Sequence, residues 1–490
     1  MDTWTSRQIV RRLVVTGDLT LTSPAHLGSG EPAGVTDLTL LRDAVEGRPL
    51  LPGTSLAGAL RGYLLARAAG YGETERGAIE RQAERAKADA ASQIAALLGG
   101  QKGDDDGAQS PLIVEDALAT PGPAEVRDGV KIDPSRRTAL DAGKYDLELL
   151  PAGTSFPLRF ELLLGPDEDE NRARLALLAQ ALGALEQGEI RIGARRSRGY
   201  GACRVAGWRA VSYDLTTPDG LLAWLGADHG WMAAPAGATR EGLAESVLDV
   251  KAPARDTRHR FTVELSCAID GALLIRSEEA LTSTGDQPDF IHLRDLAGRP
   301  ILPGTSLAGA LRSRAHRIVE AVRPGKGQAM VDALFGRDLH AGRGDPTMSR
   351  LVVGEAAIAG GRTLVQSRVS IDRFTGGALD TALFSEAPQF GGDVTLSLEL
   401  RAPKQGEIGL LLLLLKDLWT GDLMIGGEGS VGRGRLRGRS ATLTLQTPDG
   451  PSKLWTIDEA EQGLAIDGDA TALERFVAEL VAMEVGDGAT

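Results

Sequence analysis

A chain of 490 residues with 42% hydrophobic residues has length for two domains and side chains for two cores. Lys and Arg number 54 against 67 Asp and Glu, and the resulting charge of −13 argues against indiscriminate nucleic-acid binding while leaving room for a local basic track. Cys203 and Cys267 lie far apart without a CxxC pair, which excludes a disulfide framework or zinc site, and aromatics at 4% leave few rings for base stacking. The longest apolar run, Ile408–Leu415, is too short to span a bilayer, and the opening MDTWTSRQIVRR has no apolar signal region, so a cytoplasmic protein is expected.

In chain order, Leu13–Thr22 reads as a strand, followed by a Gly/Ser-rich loop, His26–Asp37. Gly47–Arg61 then reads GRPLLPGTSLAGALR. The same words return at Gly298–Arg312 as GRPILPGTSLAGALR, with Leu50 against Ile301 the one difference, so the chain is an internal duplication. The copies separate less along the chain (Pro52 to Pro303, Ile132 to Ile371, Thr217 to Thr447), which puts the length changes in loops. Leu56, Leu60 and Leu64 form the buried stripe of a helix that Pro52-Gly53 starts and Thr54 or Ser55 is expected to cap. A charged, Ala-rich insertion, Tyr71–Gly107, reads as a solvated helix by default. A strand pair precedes a second helix with Leu175, Leu178, Leu182 and Leu185 on one face, then a Gly/Arg loop and a final strand. The second copy repeats this order from alternating Phe261, Val263 and Leu265, through an acidic loop, Ser277–Asp289.

This β-α-β-β-α-β order predicts an α+β protein of tandem ferredoxin-like (RRM-like) domains. Boundaries are expected at 1–220 for the first domain, 221–257 for a linker with a short helix, 258–450 for the second domain and 451–490 for a helical tail, with an amphipathic helix over Thr471–Met483.

Two elements suit RNA phosphate. The start of each PGTS helix offers backbone N–H groups, the macrodipole and hydroxyls (Gly53, Thr54, Ser55; Gly304, Thr305, Ser306), with Arg61 and Arg312 adding charge. The plain alternative is a capped core helix. The loops IRIGARRSRGYGACR (Ile190–Arg204) and LMIGGEGSVGRGRLR (Leu423–Arg437) interleave Gly193 and Gly199 with Arg195, Arg196 and Arg198, and Gly426, Gly427 and Gly432 with Arg433 and Arg435. Glycine lets a backbone lie against sugar-phosphate and arginine adds forked contacts; the alternative is a flexible solvent loop.

These motifs, in this order and repeated, resemble the RAMP superfamily, specifically backbone subunits of type III CRISPR effector complexes with two units fused. Val369-Ser370-Ile371-Asp372-Arg373-Phe374-Thr375-Gly376-Gly377-Ala378 resembles the start of that family's thumb hairpin, which adds Asp372 and Arg373 to the RNA-binding set; in the first copy the entry is Lys131-Ile132-Asp133-Pro134-Ser135-Arg136-Arg137, without Arg-x-Thr-Gly. Both copies carry Ala (Ala57, Ala308) where the family usually has Lys. The resemblance implies binding of guide RNA (crRNA) and complementary target RNA within a filament of other CRISPR effector subunits, with no membrane role. It also implies that an Asp in the loop before the PGTS motif, with Mg2+ or another divalent metal, promotes attack of a target 2′-hydroxyl on the adjacent phosphate. Asp37 and Asp289 fit, each five residues before an Arg-Asp pair, and are the candidate catalytic and metal residues. Asp286 competes in the second copy, whereas Asp43 and Asp295 read as turn residues. A purely structural RNA-binding scaffold is the alternative. A guide-RNA-processing endonuclease, with His26 or His292 as general base, is a third reading.

Overall fold

The computed structural model describes residues 8–30, 37–71, 78–100, 109–133, 138–227, 239–277, 288–337, 347–448, 450–461 and 463–482. In the first repeat, β1 (Arg11–Leu21) lies central, followed by α1 (Gly53–Ala69), α2 (Ala78–Leu98), β2 (Leu112–Val114), the hairpin strands β3 (Glu125–Ile132) and β4 (Ala139–Leu149), β5 (Ser155–Leu164), α3 (Glu168–Gln187) and β6 (Trp208–Asp214). The antiparallel sheet runs β6-β1-β5-β2. With β1, β2, β5 and β6 as strands one to four, that is the 4-1-3-2 arrangement of a βαββαβ fold. Leu13, Val15, Leu19 and Leu21 point from β1 into one core with Leu56, Leu60 and Leu64 of α1 and Leu178, Leu182 and Leu185 of α3.

Two segments carry more structure than their composition suggested. The insertion helix α2 buries Ile94, Leu97 and Leu98 in the first core, so its C-terminal part is packed rather than solvated; Asp104-Asp105-Asp106 lie outside the described residues. The stretch expected as a linker holds α4 (Pro218–Gly226), then β7 (Thr239–Gly242), which adds to the sheet beside β6, and α5 (Ala244–Leu248), whose Ala244, Val247 and Leu248 join the first core.

The second repeat has β8 (Arg260–Asp270), α6 (Gly304–Val322), α7 (Gly327–Phe335), β9 (Leu351–Val353), a hairpin of β10 (Gln366–Ile371) and β11 (Ala378–Ala387), β12 (Asp393–Arg401), α8 (Gln405–Trp419) and β13 (Arg435–Gln446). Its sheet runs β9-β12-β8-β13, the same 4-1-3-2 order, and continues into β14 (Lys453–Glu459) and β15 (Leu464–Asp467). The C-terminal segment is thus partly strand, and its helix α9 (Ala470–Ala482) packs Phe476 edge-on against Trp455. Both hairpins even share one irregularity, a register shift between Val130 and Ile132 and between Val369 and Ile371. Cys203 and Cys267 are buried and unpaired, and burial pushes both thiols up to about 12. Among the described residues, no helix is long and apolar enough to cross a membrane.

Candidate nucleic-acid interface

The PGTS helices begin differently from the sequence expectation. Pro52 and Pro303 are the N-caps, and neither helix start has a side-chain cap. Thr54 and Ser55 are exposed, while the Gly53 N–H donates to Asp116 Oδ1 at 2.7 Å. Gly53 is needed for packing: a β-carbon there would lie 2.1 Å from the Val114 carbonyl oxygen. Arg61 turns away from the helix start and donates to the Leu98 and Gly99 carbonyls at 2.8 and 3.0 Å, capping the C-terminus of α2. Arg312 does the same for α7, donating to the Gly336 carbonyl at 3.1 Å and to Asp332 at 3.3 Å. Helix C-termini favour cations, so these two arginines serve helix ends where sequence reasoning gave them to phosphate. The solvent face of each helix instead shows Gly58 and Gly309, both exposed and, among the described residues, with nothing within 4 Å of a β-carbon.

The Gly/Arg loops form 3-10 turns, Arg196–Arg198 and Gly429–Val431. Their glycines are fixed by close backbone approach: Gly193 and Gly426 face the His26 and Leu274 carbonyl oxygens at 2.4 and 2.5 Å, and Gly201 and Gly434 face those of Ile192 and Ile425 at 1.8 and 2.0 Å, measured from a β-carbon placed on each. Packing onto the repeat's own frame accounts for these positions. Arg195 stacks over Tyr145 of β4 at 4.5 Å and donates to its hydroxyl. Arg196, Arg198 and Arg435 are exposed. Arg433 is not: it is buried between Glu386 and Glu428. Glu428, in the position of Arg195, also receives Arg276 and Arg368, so its charge is matched within the protein. Asp372 likewise turns inward, accepting the Phe374 and Thr375 N–H groups at the hairpin tip, while Arg373 stays exposed.

Asp37 and Asp289 occupy matching places. Each precedes a short stretch paired in parallel with the second hairpin strand. Asp37 Oδ2 accepts the Asp146 N–H at 3.0 Å. Asp289 Oδ2 accepts the Ser385 N–H at 2.6 Å and its hydroxyl at 3.2 Å. Asp146 faces Asp128 across the hairpin, and the two carboxyl groups share a hydrogen bond. Burial and then that bond raise the Asp128 carboxyl to about 6. The second repeat has Ser367 and Ser385 at the corresponding pair. Among the described residues, no group of three or more His, Cys, Asp or Glu could enclose a metal. The donors present therefore fit Mg2+ only in the mode where one carboxylate, waters and phosphate oxygens share the ion. Asp286 lies outside the described residues, and Asp43 and Asp295 hold turns, accepting the N–H groups of Val45 and Glu46 and of Arg299.

Neither histidine is presented to a substrate. His26 is buried, with Nδ1 2.9 Å from the Glu148 carbonyl oxygen. His292 is fully buried: Nδ1 accepts the Ile275 N–H and Nε2 donates to the Ile301 carbonyl, and burial depresses its pKa to about 4. Sequence reasoning missed Asp116, Glu355, Arg127 and the Asp128–Asp146 pair. The matched words Val114-Glu115-Asp116-Ala117 and Val353-Gly354-Glu355-Ala356 carried a signal for the first two.

Two ferredoxin-like units, each with a hairpin, a glycine turn and a PGTS helix, define a duplicated α+β protein that presents the same surface elements twice. The RAMP superfamily model matches residues 18–204 and 252–437, one match per repeat and more than half of the chain, so the chain belongs to the RAMP superfamily. RAMP proteins are CRISPR-associated RNA-binding subunits of effector complexes. Comparison with curated proteins gives no match.

Proposed function

We propose that this chain is a fused two-unit backbone subunit of a type III CRISPR effector complex that holds guide RNA and cleaves complementary target RNA beside Asp37 and Asp289. The observation that carries the RNA track is the pair of exposed helix glycines, Gly58 and Gly309. Glycine inside a helix costs roughly 0.5–1 kcal/mol relative to alanine. Both copies keep it where the described residues leave space, which suits a sugar-phosphate backbone lying against the helix. Thr54, Ser55, Thr305 and Ser306 at the helix starts, and exposed Arg196, Arg198, Arg373 and Arg435, extend that track.

In the cleavage reading, the hairpin holds each Asp at the strand where a target nucleotide is displaced. The carboxylate then takes the 2′-hydroxyl proton or orients a water that does so, and bound Mg2+ would supply charge neutralisation at the attacked phosphate. A scaffold without chemistry is the second reading. It is favoured by the hydrogen bonds that tie both carboxylates to the hairpin strand, which explain their retention through structure alone.

The test is target-RNA cleavage by the guide-loaded complex with Mg2+, using Asp37→Asn and Asp289→Asn, which keep a hydrogen-bond acceptor and remove the charge. Each substitution is expected to erase one distinct cut while guide RNA stays bound. A double variant that cuts like wild type would leave the scaffold reading.

A further inference from the structure

The two repeats meet as plug and socket, and each half of that joint has a counterpart in the other repeat that is uncovered among the described residues. The plug is the 3-10 turn Arg196–Arg198 with Gly199, supported by Arg127 at the base of the hairpin. The socket is the start of α6 with the Gly354-Glu355 turn after β9. Contact is close: a β-carbon on Gly304 would lie 2.5 Å from the Arg198 carbonyl oxygen, and one on Gly199 would lie 2.7 Å from the Glu355 nitrogen. Arg127 is buried and forks onto both Glu355 oxygens while also donating to Glu125.

Among the described residues the counterparts of these parts are uncovered. Gly432, the counterpart of Gly199, has nothing within 4 Å among the described residues, and neighbouring Val431 is 57% exposed. Gly53, the counterpart of Gly304, has Val114 and Glu115 of its own repeat as nearest neighbours, and Glu115 and Asp116 are exposed. The chemistry of the joint is not copied with its shape. Gln366 and Leu364 stand where the first repeat has Arg127 and Glu125, and Asp116 stands where the second has Glu355. Two copies joined end to end would therefore set Gln366, which already accepts Arg433 at 3.0 Å, against Asp116 and lack the buried arginine–carboxylate fork.

We propose that the open socket of the first repeat receives the glycine turn of a different subunit, one carrying arginine at the position of Arg127, and that this chain does not concatenate with itself. The inference is argued from the geometry of the joint, which shares Arg196, Arg198 and the start of α6 with the proposed RNA track; its test reads association without RNA, so it can fail separately from the RNA and cleavage readings.

The test is the mass distribution of the purified full chain by light scattering over a wide concentration range. Wild type is expected as a single chain of 51.5 kDa. The double variant Asp116→Glu/Gln366→Arg, which installs an arginine–glutamate pair like that of the internal joint on exposed positions, is expected to shift to two chains and more, with an unchanged circular dichroism spectrum as the folding control. Concentration-dependent ladders of wild type would overturn the proposal, because a second copy would then be the occupant. A folded double variant that stays single would also overturn it, because the fork would not be what selects the partner.

Discussion

Single residues in the duplicated motif divide by what they touch. Arg61 and Arg312 are kept because each closes a following helix by donating to backbone carbonyls at its end. Replacing either by Ala is expected to cost about 0.5–2 kcal/mol, in the range of a lost charged hydrogen bond or cap, with RNA affinity unchanged; chemical denaturation and RNA titration of the same samples check both halves. Gly58 and Gly309 behave oppositely. With nothing near a β-carbon, Gly58→Ala and Gly309→Ala are each expected to stabilise the fold by roughly 0.5–1 kcal/mol, measured as a rise in denaturation midpoint. A motif kept in both copies thus mixes positions that serve folding with positions that the fold would rather replace.

At the scale of elements, the hairpin of β3 and β4 carries a pH dependence. The Asp128 carboxyl is raised from its ordinary 3.8 to about 6, by burial and by its hydrogen bond to Asp146. A raised acid binds its proton more tightly in the folded state. Its stabilising contribution is complete below 3.8 and is lost as pH rises through about 6. Amide exchange in residues 125–149, corrected for intrinsic rates, is expected to be slower at pH 4.5 than at pH 7.5, and Asp128→Asn should remove most of that difference.

The order of these elements was legible in the sequence, because period-2 and 3.6 patterns and the repeated words mark strands, helices and their correspondence. Less legible were contacts between segments far apart in the chain. Nothing near Arg61 announces that its partners are Leu98 and Gly99, and nothing near Gly53 announces Asp116. The buried half of α2 was hidden for a related reason: alanine and charge dominate its composition, while three apolar residues near its end decide its packing. Asp37 and Asp289 were nominated by the family resemblance and matched to each other by spacing, yet their attachment to the hairpin strand depends on parallel pairing that spacing does not encode.

For the whole molecule, the repeats are locked by polar contacts. Glu189 accepts the Tyr63 hydroxyl at 2.7 Å and pairs with Arg258 and Arg260, and Tyr71 donates to Glu399. Burial is the largest single effect and would raise the Glu189 carboxyl, but Arg258, the Tyr63 hydroxyl and Arg260 together outweigh it and hold the carboxyl below the usual range. Buried pairs of this kind are costly to break from one side. Arg127→Ala, which strands Glu125 and Glu355, is expected to cost about 3–5 kcal/mol, seen as a large drop in the midpoint of denaturant unfolding. A loss below about 0.5 kcal/mol, the scale of an exposed pair, would mean that water reaches this joint freely.

The central claim is that the solvent faces of α1 and α6 carry RNA. The most direct measurement is the affinity of the full chain for single-stranded guide RNA, comparing wild type with Gly58→Ala/Gly309→Ala under one salt condition. The account predicts that the variant melts higher than wild type yet binds RNA about tenfold or more weakly, a change of about 1.4 kcal/mol or more. A variant that is more stable and binds RNA as tightly as wild type would contradict it.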